Sequence, residues 1–589
     1  MDFTTWGPHR GTPWTRGPWK AELRGDEIAD LRYDGVLVLR SIRAVSRDRD
    51  WGTVPVSVLS LTHGDGGSDA GDETAGTTTF RLRYDGQGIA ADADLHLHTD
   101  GDRLTITFTL TATRSFDTNR TGLVVLHPPQ VAGSPFRVVH TDGSSERTQF
   151  PDRISPHQPA LNIAALEWSV DGLDLKAQFI GDTFEMEDQR NWTDASFKTY
   201  SRPLALPFPY RVEAGETTIQ QIELTAVPAA ATSPQAPAAQ GTLIRLIDAG
   251  RPAPQIGVGA PPPTTSVQHG LPPADVILVE LKGDDPDPAA TLTRAAAAGL
   301  PLDIRLVVDA PARVAELVAL AAPLLPLRLA VFSSETHVTE PELWEALVGA
   351  VGDLGFETEL VGGARSHFTE LNRTHARLPA FPSWAISLTP QMHARDTFQL
   401  EECIGMQRRV AADATKIIGG APLHVGPVTL RPRFNAVLTT PRPGHSHGQS
   451  LDPDTVDARQ SEPQLAAWVI ASAAALAEGG VASVTWFEER GPRGLVADDG
   501  TPYPVRDAVA AVHAMGGAPL LVPAETSPDD AHTWVLGVRT TGGARLLIAR
   551  LGDTADHVLI DVDGHEILLP LEPGTWRAID LEIAPHPQH

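Results

Sequence analysis

The densest group of side chains that could do chemistry lies between residues 184 and 204, in the sequence FEMEDQRNWTDASFKTYSRPL. Charged and aromatic residues are mixed there without the period of two of a half-buried strand or the period near four of a surface helix. The mixture is typical of a loop that forms a pocket wall, although a salt-bridged surface loop is the alternative. We predict substrate contacts from Glu187, Asp188, Arg190 and Trp192.

Composition limits the partners and the compartment. The 589 residues carry a net charge of −27, which argues against nucleic acid and anionic membrane surfaces as partners. A single cysteine, Cys403, excludes an internal disulfide framework and is typical of a reducing compartment. No apolar run reaches the length of about 18 residues that a membrane helix needs. Residues 1–20 lack the apolar core of a signal peptide. We therefore expect a cytoplasmic protein, and the sequence leaves a homo-oligomer open.

The pattern of apolar residues divides the chain into three folded parts. Residues 1–227 form short alternating runs between Asp- and Gly-rich turns, which predicts an antiparallel β-sandwich similar to the mutarotase-like supersandwiches found beside carbohydrate-enzyme barrels. Residues 228–250 begin with a Pro- and Ala-rich stretch and are predicted to be a linker. Strands alternate with helices over residues 251–520, and strands alone return over residues 521–589, which predicts a small C-terminal β-domain.

The alternating region has the organisation of a TIM barrel. Eight strand–helix units in about 260 residues match that fold, with a doubly wound open sheet as the rival. No Gly-rich phosphate loop follows the first strand, so a dinucleotide site is unsupported. The eight candidate strands are 256–260, 274–281, 302–309, 327–334, 357–363, 384–390, 423–430 and 482–488.

Two acids at predicted strand ends are the candidates for proton transfer. In a TIM barrel the catalytic residues lie at the C-terminal ends of strands. Glu335 follows the fourth strand and Glu488 follows the eighth, and we predict them to be the catalytic acid and base. Trp486 is predicted to bind substrate, and Trp486 and Phe487 beside Glu488 are expected to desolvate the carboxyl and raise its pKa. The alternatives are a helix-cap or surface acid at Glu335 and an ion pair of Glu488 with Arg490 or Arg493.

Polar residues at other strand ends complete the predicted site, which the 184–204 segment is expected to cover. His393, after the sixth strand, is predicted to be catalytic as a proton shuttle, and a hydrogen-bonded pocket-wall histidine is the alternative. Arg431 and Arg433 end the seventh strand and could stabilise an oxyanion or hold a carboxylate product. His367 and Gln391 are predicted to bind substrate.

The predicted seventh strand distinguishes two reaction classes. A retaining glycosidase on such a barrel pairs a fourth-strand acid with a nucleophilic Glu on the seventh strand. The seventh strand here carries no acid and ends in arginines, which favours chemistry on an ester carbonyl with a base, oxyanion donors and an acid. No G-x-S-x-G nucleophile motif is present. Neither a cofactor nor a metal is predicted, since His445 and His447 provide too few ligands in one loop.

Five phrases, spread in order over most of the chain, resemble the D-apionate lactonases, which are sugar-lactone hydrolases of bacterial apiose breakdown. The resemblance implies hydrolysis of D-apionolactone to D-apionate, whereas the residue pattern alone supports acid/base chemistry on a polar, sugar-sized molecule. A glycoside hydrolase acting on small aryl glycosides with paired carboxylates is the alternative. A carbohydrate-binding protein with an inactive barrel is the third candidate. The phrases are SFDTNRTGLVVLHP (115–128), the 184–204 segment, GGARSHFTELNR (362–373), LTPQMHARD (388–396) and SVTWFEERGPRGL (483–495).

Overall fold

The computed structural model describes residues 4–6, 11–65, 76–229, 243–262, 271–436 and 452–583. Most of the predicted linker falls in the gap before residue 243. His445 and His447 fall in the gap before residue 452, so the prediction about them lies outside the described residues. None of the helices within the described ranges has the length and apolar character that a membrane crossing requires.

The first part of the chain folds as antiparallel β-structure, as predicted. Its strands are β1 Thr12–Arg16, β2 Trp19–Arg24, β3 Glu27–Tyr33, β4 Val36–Arg47, β5 Val56–Asp65, β6 Gly76–Gly86, β7 Ile89–Asp100, β8 Arg103–Ala112, β9 Phe116–Thr118, β10 Arg120–His127, β11 Pro135–His140, β12 Ser145–Gln149, β13 Ala160–Val170, β14 Leu173–Ile180, β15 Phe184–Asp188, β16 Phe197–Ser201, β17 Tyr210–Val212 and β18 Thr217–Pro228.

Sixteen of these strands make one long antiparallel sheet, β9 and β17 pair as a separate two-stranded sheet, and the domain encloses a single apolar core. The sheet order is β1-β2-β3-β4-β10-β16-β15-β13-β14-β18-β8-β7-β6-β5, with β11 and β12 attached to β13. Strands β7 and β8 form a hairpin, in which Leu95 and Leu97 of β7 pair with Phe108 and Ile106 of β8. These four side chains are fully buried, so one face of the hairpin packs on the core.

The first strand from residue 243 belongs to the C-terminal sheet, and the barrel begins with the strand that follows it. The elements from residue 243 are β19 Leu243–Pro252, β20 Gln255–Gly259, β21 Val276–Lys282, α1 Pro288–Ala296, β22 Leu302–Val308, α2 Pro311–Ala321, β23 Arg328–Ser333, α3 Pro341–Leu354, β24 Glu359–Gly363, α4 Phe368–Thr374, β25 Ser383–Leu388, α5 Thr397–Ile417, β26 Leu423–Val428, α6 Gln464–Glu478, β27 Ser483–Arg490, β28 Gly494–Val496 and α7 Val505–His513.

The eight-stranded TIM barrel is confirmed. Strands β20 to β27 pair in parallel and in sequence order, and β20 also pairs with β27, which closes the cylinder and excludes an open doubly wound sheet. Each predicted strand overlaps the observed one. The apolar side chains of these strands pack with the surrounding helices in one large core, so the helices hold the strand ends in fixed positions.

The third part is a seven-stranded sheet in the order β33-β32-β19-β29-β30-β31-β34. Strand β19 lies in its interior and pairs in parallel with β32 and antiparallel with β29. The predicted linker over 228–250 is therefore too long at its C-terminal end, because residues 243–252 form this strand. The new strands are β29 Pro519–Pro523, β30 Thr533–Thr540, β31 Gly543–Arg550, β32 Asp556–Val562, β33 His565–Leu571 and β34 Thr575–Glu582.

Candidate active site

A cluster of charged side chains lies at the C-terminal ends of the barrel strands. Glu280 lies near the end of β21, and its two carboxylate oxygens accept hydrogen bonds from Arg365 at 3.3 and 3.2 Å. Arg433, from the loop after β26, approaches Glu280 to 2.8 Å. Burial by itself would raise the pKa of Glu280, but the two guanidinium groups hold that pKa far below its usual range. Glu280 is therefore an anion that fixes both arginines.

His337 completes this group, which we call the mouth cluster (Glu280, His337, Arg365 and Arg433). Arg365 donates from Nη1 to Nδ1 of His337 over 3.2 Å, and its guanidinium lies 4.1 Å from the centre of the Phe434 ring. Burial, together with the charge of Arg365, lowers the pKa of His337 to about 4. His337 is thus a neutral acceptor at neutral pH. Its backbone has a φ of 60°, a left-handed conformation that is uncommon outside functional sites and turns.

A small cleft opens beside the mouth cluster. Its wall includes His367, which begins α4 and whose backbone NH donates to Glu370 over 2.9 Å. Burial lowers the pKa of the His367 imidazole, so the ring is neutral at neutral pH. The charges of Arg433 and His393 also act on the His367 imidazole. The cleft is lined by Ser366, His367, Ser387, Thr389, Arg433 and Phe434.

The β-sandwich contributes a carboxylate to this mouth. Asp194 reaches His393 with an Oδ2 to Nδ1 distance of 2.7 Å, and Gln399 of α5 donates to the other oxygen of Asp194 over 3.0 Å. Because an ionised carboxylate only accepts, Nδ1 of His393 carries the proton. Thr193 fixes the approach by donating to the backbone oxygen of Thr389 over 3.0 Å. The described residues give Nε2 of His393 no partner, and the side chain is 22% exposed.

Two other residues of the 184–204 segment lie beside this pair. The Trp192 ring meets His393 edge to face with 5.6 Å between centroids. Glu187 pairs with Lys198. Burial opposes ionisation of Glu187, but Lys198, His393 and Arg373 outweigh burial and lower its pKa. Glu187 and Trp192 therefore lie beside the Asp194–His393 pair, and their contact with substrate stays a prediction.

Asp188 and Arg190 were predicted to contact substrate, but their side chains lie inside the protein. Both side chains are fully buried, and Arg190 donates to Asp188 from Nε over 2.8 Å and from Nη2 over 2.7 Å. Its other bonds go to backbone oxygens of Asp152 and Pro151. All the donor groups of this guanidinium are used within the protein, so the pair holds the segment in place and has no face left for a substrate.

Gln391 and Arg431 also belong to an internal network. Gln391 donates to Asp457 over 2.7 Å and accepts from Arg459 over 2.8 Å. Arg431 donates to the same oxygen of Asp457 over 3.1 Å. The network ties the ends of β25 and β26 to the chain after residue 452. Both side chains were predicted to bind substrate, but in the structure they bond within the protein.

Glu488 lies at the mouth, but Trp486 does not. Glu488 pairs with Arg493, its second oxygen is buried without a partner among the described residues, and burial raises its pKa while Arg493 and Arg433 lower it less. Trp486 is buried and donates to Ser472 of α6 over 3.2 Å, so its ring packs outside the barrel. Burial raises the pKa of Glu488 as expected. Because the Trp486 ring packs against α6, other residues bury this carboxyl.

The structure does not bring Glu335 and Glu488 together. Strands β23 and β27 are four positions apart in an eight-stranded cylinder, which places their ends on opposite sides of the mouth. The Glu335 side chain is exposed, whereas the next buried residue after β23 is His337. The predicted pair is thus corrected: Glu335 is a surface acid, the alternative that its loop position left open.

Sequence reasoning missed Glu280, His337 and the role of Asp194. One signal was present, because Glu280 is the only charged residue in the apolar run VILVEL. A lone acid near the end of a buried parallel strand is costly to bury unless it is paired. No comparable signal marks Asp194, whose partner is 199 residues away. Within the described ranges, no group of three or more His, Cys, Asp or Glu is arranged to hold a metal ion.

Comparison with known proteins identifies the class. Residues 4–229 match the family model described as D-apionate lactonase, N-terminal domain, and residues 275–517 match the D-apionate lactonase TIM barrel domain. The D-apionate lactonase of Brucella anthropi is 29% identical over 517 residues, which cover 82% of this chain and 83% of that protein. The protein is therefore a hydrolase of sugar lactones, with a β-sandwich and a TIM barrel. The chain belongs to the D-apionate lactonase family.

Solved structures resemble the chain only distantly. A GH30 endoxylanase from Clostridium papyrosolvens is 8% identical with a TM-score of 0.38 and covers 57% of this chain and 97% of its own. A β-arabinopyranosidase is 9% identical with a TM-score of 0.30 and covers 95% of this chain and 98% of its own. Similarity at this level says nothing about the reaction.

Proposed function

We propose that the protein hydrolyses D-apionolactone to D-apionate in the cleft at the barrel mouth. The membership of the D-apionate lactonase family supports this substrate. The observation that carries the chemistry is the Asp194–His393 pair, which the sandwich and the barrel build together beside a cleft lined by Arg433. A histidine oriented by a buried carboxylate is a general base, and a guanidinium stabilises the charge that develops on a carbonyl oxygen.

His393 activates the water molecule in this proposal. Asp194 holds the proton on Nδ1, which leaves the lone pair of Nε2 as the acceptor. Nε2 takes one proton from water, and the hydroxide forms a bond to the lactone carbonyl carbon. Asp194 is a positioning residue, because it acts through His393 and also stabilises the imidazolium that forms.

Arg433 stabilises the oxyanion. The Nη2 group of Arg433 donates to the backbone oxygen of Arg365 over 2.9 Å, and Glu280 holds Nη1, so the guanidinium is fixed at the cleft before substrate binds. Arg365 is bonded to Glu280 and His337 and serves to hold Glu280. A charge that is fixed in advance needs no reorganisation as the carbonyl oxygen becomes negative. The same cation balances the carboxylate of the product.

Glu488 supplies the proton for the leaving group. Its raised pKa keeps a larger fraction of the carboxyl protonated than an exposed glutamate would have. When the tetrahedral intermediate collapses, the ring C–O bond breaks and the alkoxide takes the proton of Glu488. The carboxylic acid that is formed loses its proton, and proton exchange with solvent restores His393 and Glu488. One water molecule is consumed for each lactone opened.

A pH-stat assay tests the proposal. Hydrolysis of a lactone releases one acid equivalent, so base uptake follows turnover directly. We expect D-apionolactone to be opened with a higher kcat/KM than unbranched aldonolactones, and aryl glycosides to release no phenol. Release of phenol from an aryl glycoside without lactone opening would instead support the glycosidase alternative. No base uptake above the spontaneous rate with any aldonolactone would refute the proposal.

A further inference from the structure

Buried arginines in this protein fall into two groups. Arg190 and Arg459 are fully buried, and in both Nε, Nη1 and Nη2 donate to protein oxygens. Arg120 at the start of β10 is also buried, with 4% exposure. Its Nη1 donates to the backbone oxygen of Asn119, but its buried Nε and Nη2 have no partner within the described part of the chain. Leaving such donors unpaired is energetically unfavourable, and more so for a charged group.

The unpaired atoms of Arg120 form a recognisable binding edge. Nε and Nη2 lie side by side in the planar guanidinium and match the two oxygens of a carboxylate. Arg202 lies near Arg120, and its Nε is likewise buried without a partner among the described residues. Three buried donors on two neighbouring arginines lack a partner within the described residues, which indicates a site for an acceptor such as a carboxylate.

Neighbouring acids do not fill this edge. Glu185 accepts from the Tyr200 hydroxyl over 2.5 Å and from the backbone NH of Leu204 over 2.8 Å. Asp182 accepts from the NH of Thr183 over 2.8 Å. Burial lowers the pKa of Arg120, and Glu185 and Tyr200 only partly offset that effect. The acids are therefore bonded to other donors, and Nε and Nη2 of Arg120 remain without a hydrogen-bond partner in the described residues.

Aromatic rings surround the two arginines. The Trp51 and Phe208 ring centres lie 5.0 and 5.5 Å from the Arg120 guanidinium carbon, and the Tyr210 ring centre lies 4.5 Å from that of Arg202. Phe208 is 38% exposed, so this wall of the group also faces solvent. Rings beside a cationic fork suit a ligand with a carboxylate at one end and a C–H and hydroxyl-bearing chain at the other.

We propose that Arg120 and Arg202, walled by Trp51, Phe208 and Tyr210, form an auxiliary site on the β-sandwich that binds the carboxylate of a polyhydroxy acid. The ligand class rests on the proposed function, because an aldonate is what hydrolysis of a sugar lactone releases. The carboxylate takes the fork of Arg120 and the Nε donor of Arg202. The carbon chain of the ligand packs on Phe208 and Trp51.

The auxiliary site lies close to the mouth of the barrel. Asn435, which follows Phe434 of the cleft, donates to the backbone oxygen of Asp50 over 3.1 Å. Asp50 precedes Trp51, so the loop that carries Arg433 touches the loop that forms one wall of the auxiliary site. The cleft and the auxiliary site are therefore connected through these two contacting loops.

Calorimetric titration of the Arg433→Gln variant tests this site with the cationic donor of the mouth removed. D-gluconate is the probe, with D-glucitol as the polyol without a carboxylate and acetate as the carboxylate without a polyol. We expect saturable binding of D-gluconate, weaker binding of acetate and none of D-glucitol. Adding Arg120→Gln should weaken D-gluconate at least tenfold, whereas adding Arg114→Gln, at an exposed arginine, should not.

Several outcomes would overturn the auxiliary site. They are a silent titration, equal binding of D-glucitol, or unchanged D-gluconate affinity after Arg120→Gln. Arg202→Gln serves as the second variant if Arg120→Gln melts below the assay temperature, and unchanged affinity in Arg202→Gln then overturns the site as well. The titration involves no turnover, so it is independent of the proposed function. If the wild-type protein binds D-gluconate through Arg120 but opens no lactone, the auxiliary site is supported and the proposed function is refuted.

Discussion

The barrel holds two clusters of the same residue types at its two ends, and only one of them has the geometry of an active site. We call the cluster at the N-terminal ends of the strands the floor cluster (Asp303, Arg328, Glu359 and His424). Arg328 pairs with Glu359 at 3.1 Å and lies 3.9 Å from Asp303, and His424 meets Glu359 at 3.0 Å. The side chains of Asp303, Arg328 and His424 are at most 6% exposed.

The two clusters differ in the elements that carry their residues and in the polar groups that have no partner. The floor residues all lie on strands and form ion pairs within the barrel, although the buried Nη1 of Arg328 has no hydrogen-bond partner in the described residues. In the mouth, Arg365 and Arg433 come from loops after the strands, and the sandwich adds Asp194 beside His393. A buried oxygen of Glu488 and Nε2 of His393 remain without partners in the described residues. Charge density and unpaired atoms therefore do not by themselves mark the candidate site; loop residues and a sandwich carboxylate that meet at the C-terminal face do.

The largest effect is expected from His393→Ala. Removing a general base should lower kcat by about 10²–10⁴-fold with a smaller change in KM. The matched control is His375→Ala, because His375 follows α4 outside the cleft and bonds only the backbone oxygen of Asn372. Base uptake in a pH-stat gives both constants. Equal turnover by the two variants would contradict the role of His393.

Arg433→Gln should follow, with kcat about 10²–10³-fold lower, since one preorganised oxyanion donor is lost. Arg395→Gln provides the comparison, because Arg395 is 57% exposed in its side chain and lies on the rim. Steady-state kinetics on the lactone separate the two. If Arg433→Gln raised only KM, the residue would bind the substrate without stabilising the transition state.

Glu488→Gln should lower kcat by about 10²-fold and change the pH profile. A folded pKa raised above the ordinary value means that the acid form is present at low pH and is lost as pH rises through that pKa. Wild-type kcat should therefore fall on the alkaline side through the pKa of Glu488, and Glu488→Gln should lack this limb. A variant that retains the alkaline limb would assign it to another group.

For the floor cluster we expect a substitution to lower stability and to leave activity unchanged. Asp303→Asn removes one partner of the buried Arg305 and Arg328 and should lower the free energy of unfolding by about 3–5 kcal/mol, while kcat of the folded enzyme stays at the wild-type value. Urea unfolding together with lactone kinetics measures both, and Asp100→Asn at the exposed end of β7 is the control. A selective loss of kcat would extend the active site to the floor.

The smallest effect concerns acid stability. Burial would raise the pKa of Glu359, but His424 and Ser383 lower it to about 2 from an ordinary 4.5. A lowered folded pKa gives stability that is present above pH 4.5 and is lost as pH falls from 4.5 toward about 2. Glu359→Gln should therefore flatten the pH dependence of the melting temperature in that window. An unchanged slope would show that other carboxylates dominate.

Local sequence determined the fold to a large extent. Apolar runs of strand length alternate with amphipathic helices, and this pattern placed all eight barrel strands within a few residues of their observed bounds. It also placed His367, His393, Arg433 and Glu488 at strand ends, where closure of the barrel brings them to one face. Their catalytic and binding roles stay predictions.

Tertiary structure decided which of these side chains meet. Glu335 and His337 lie two residues apart after β23, and only the backbone conformation of His337 sends the imidazole to Arg365. Arg190 and Arg120 are both buried arginines of the sandwich, but only packing determines that the first has all its partners and the second has two donors unmet. The sequence fixes the period of each element, which depends on neighbours along the chain. The partners of Glu280, Asp194 and Arg120 depend on strands and domains that are distant in sequence, so only the folded chain defines them.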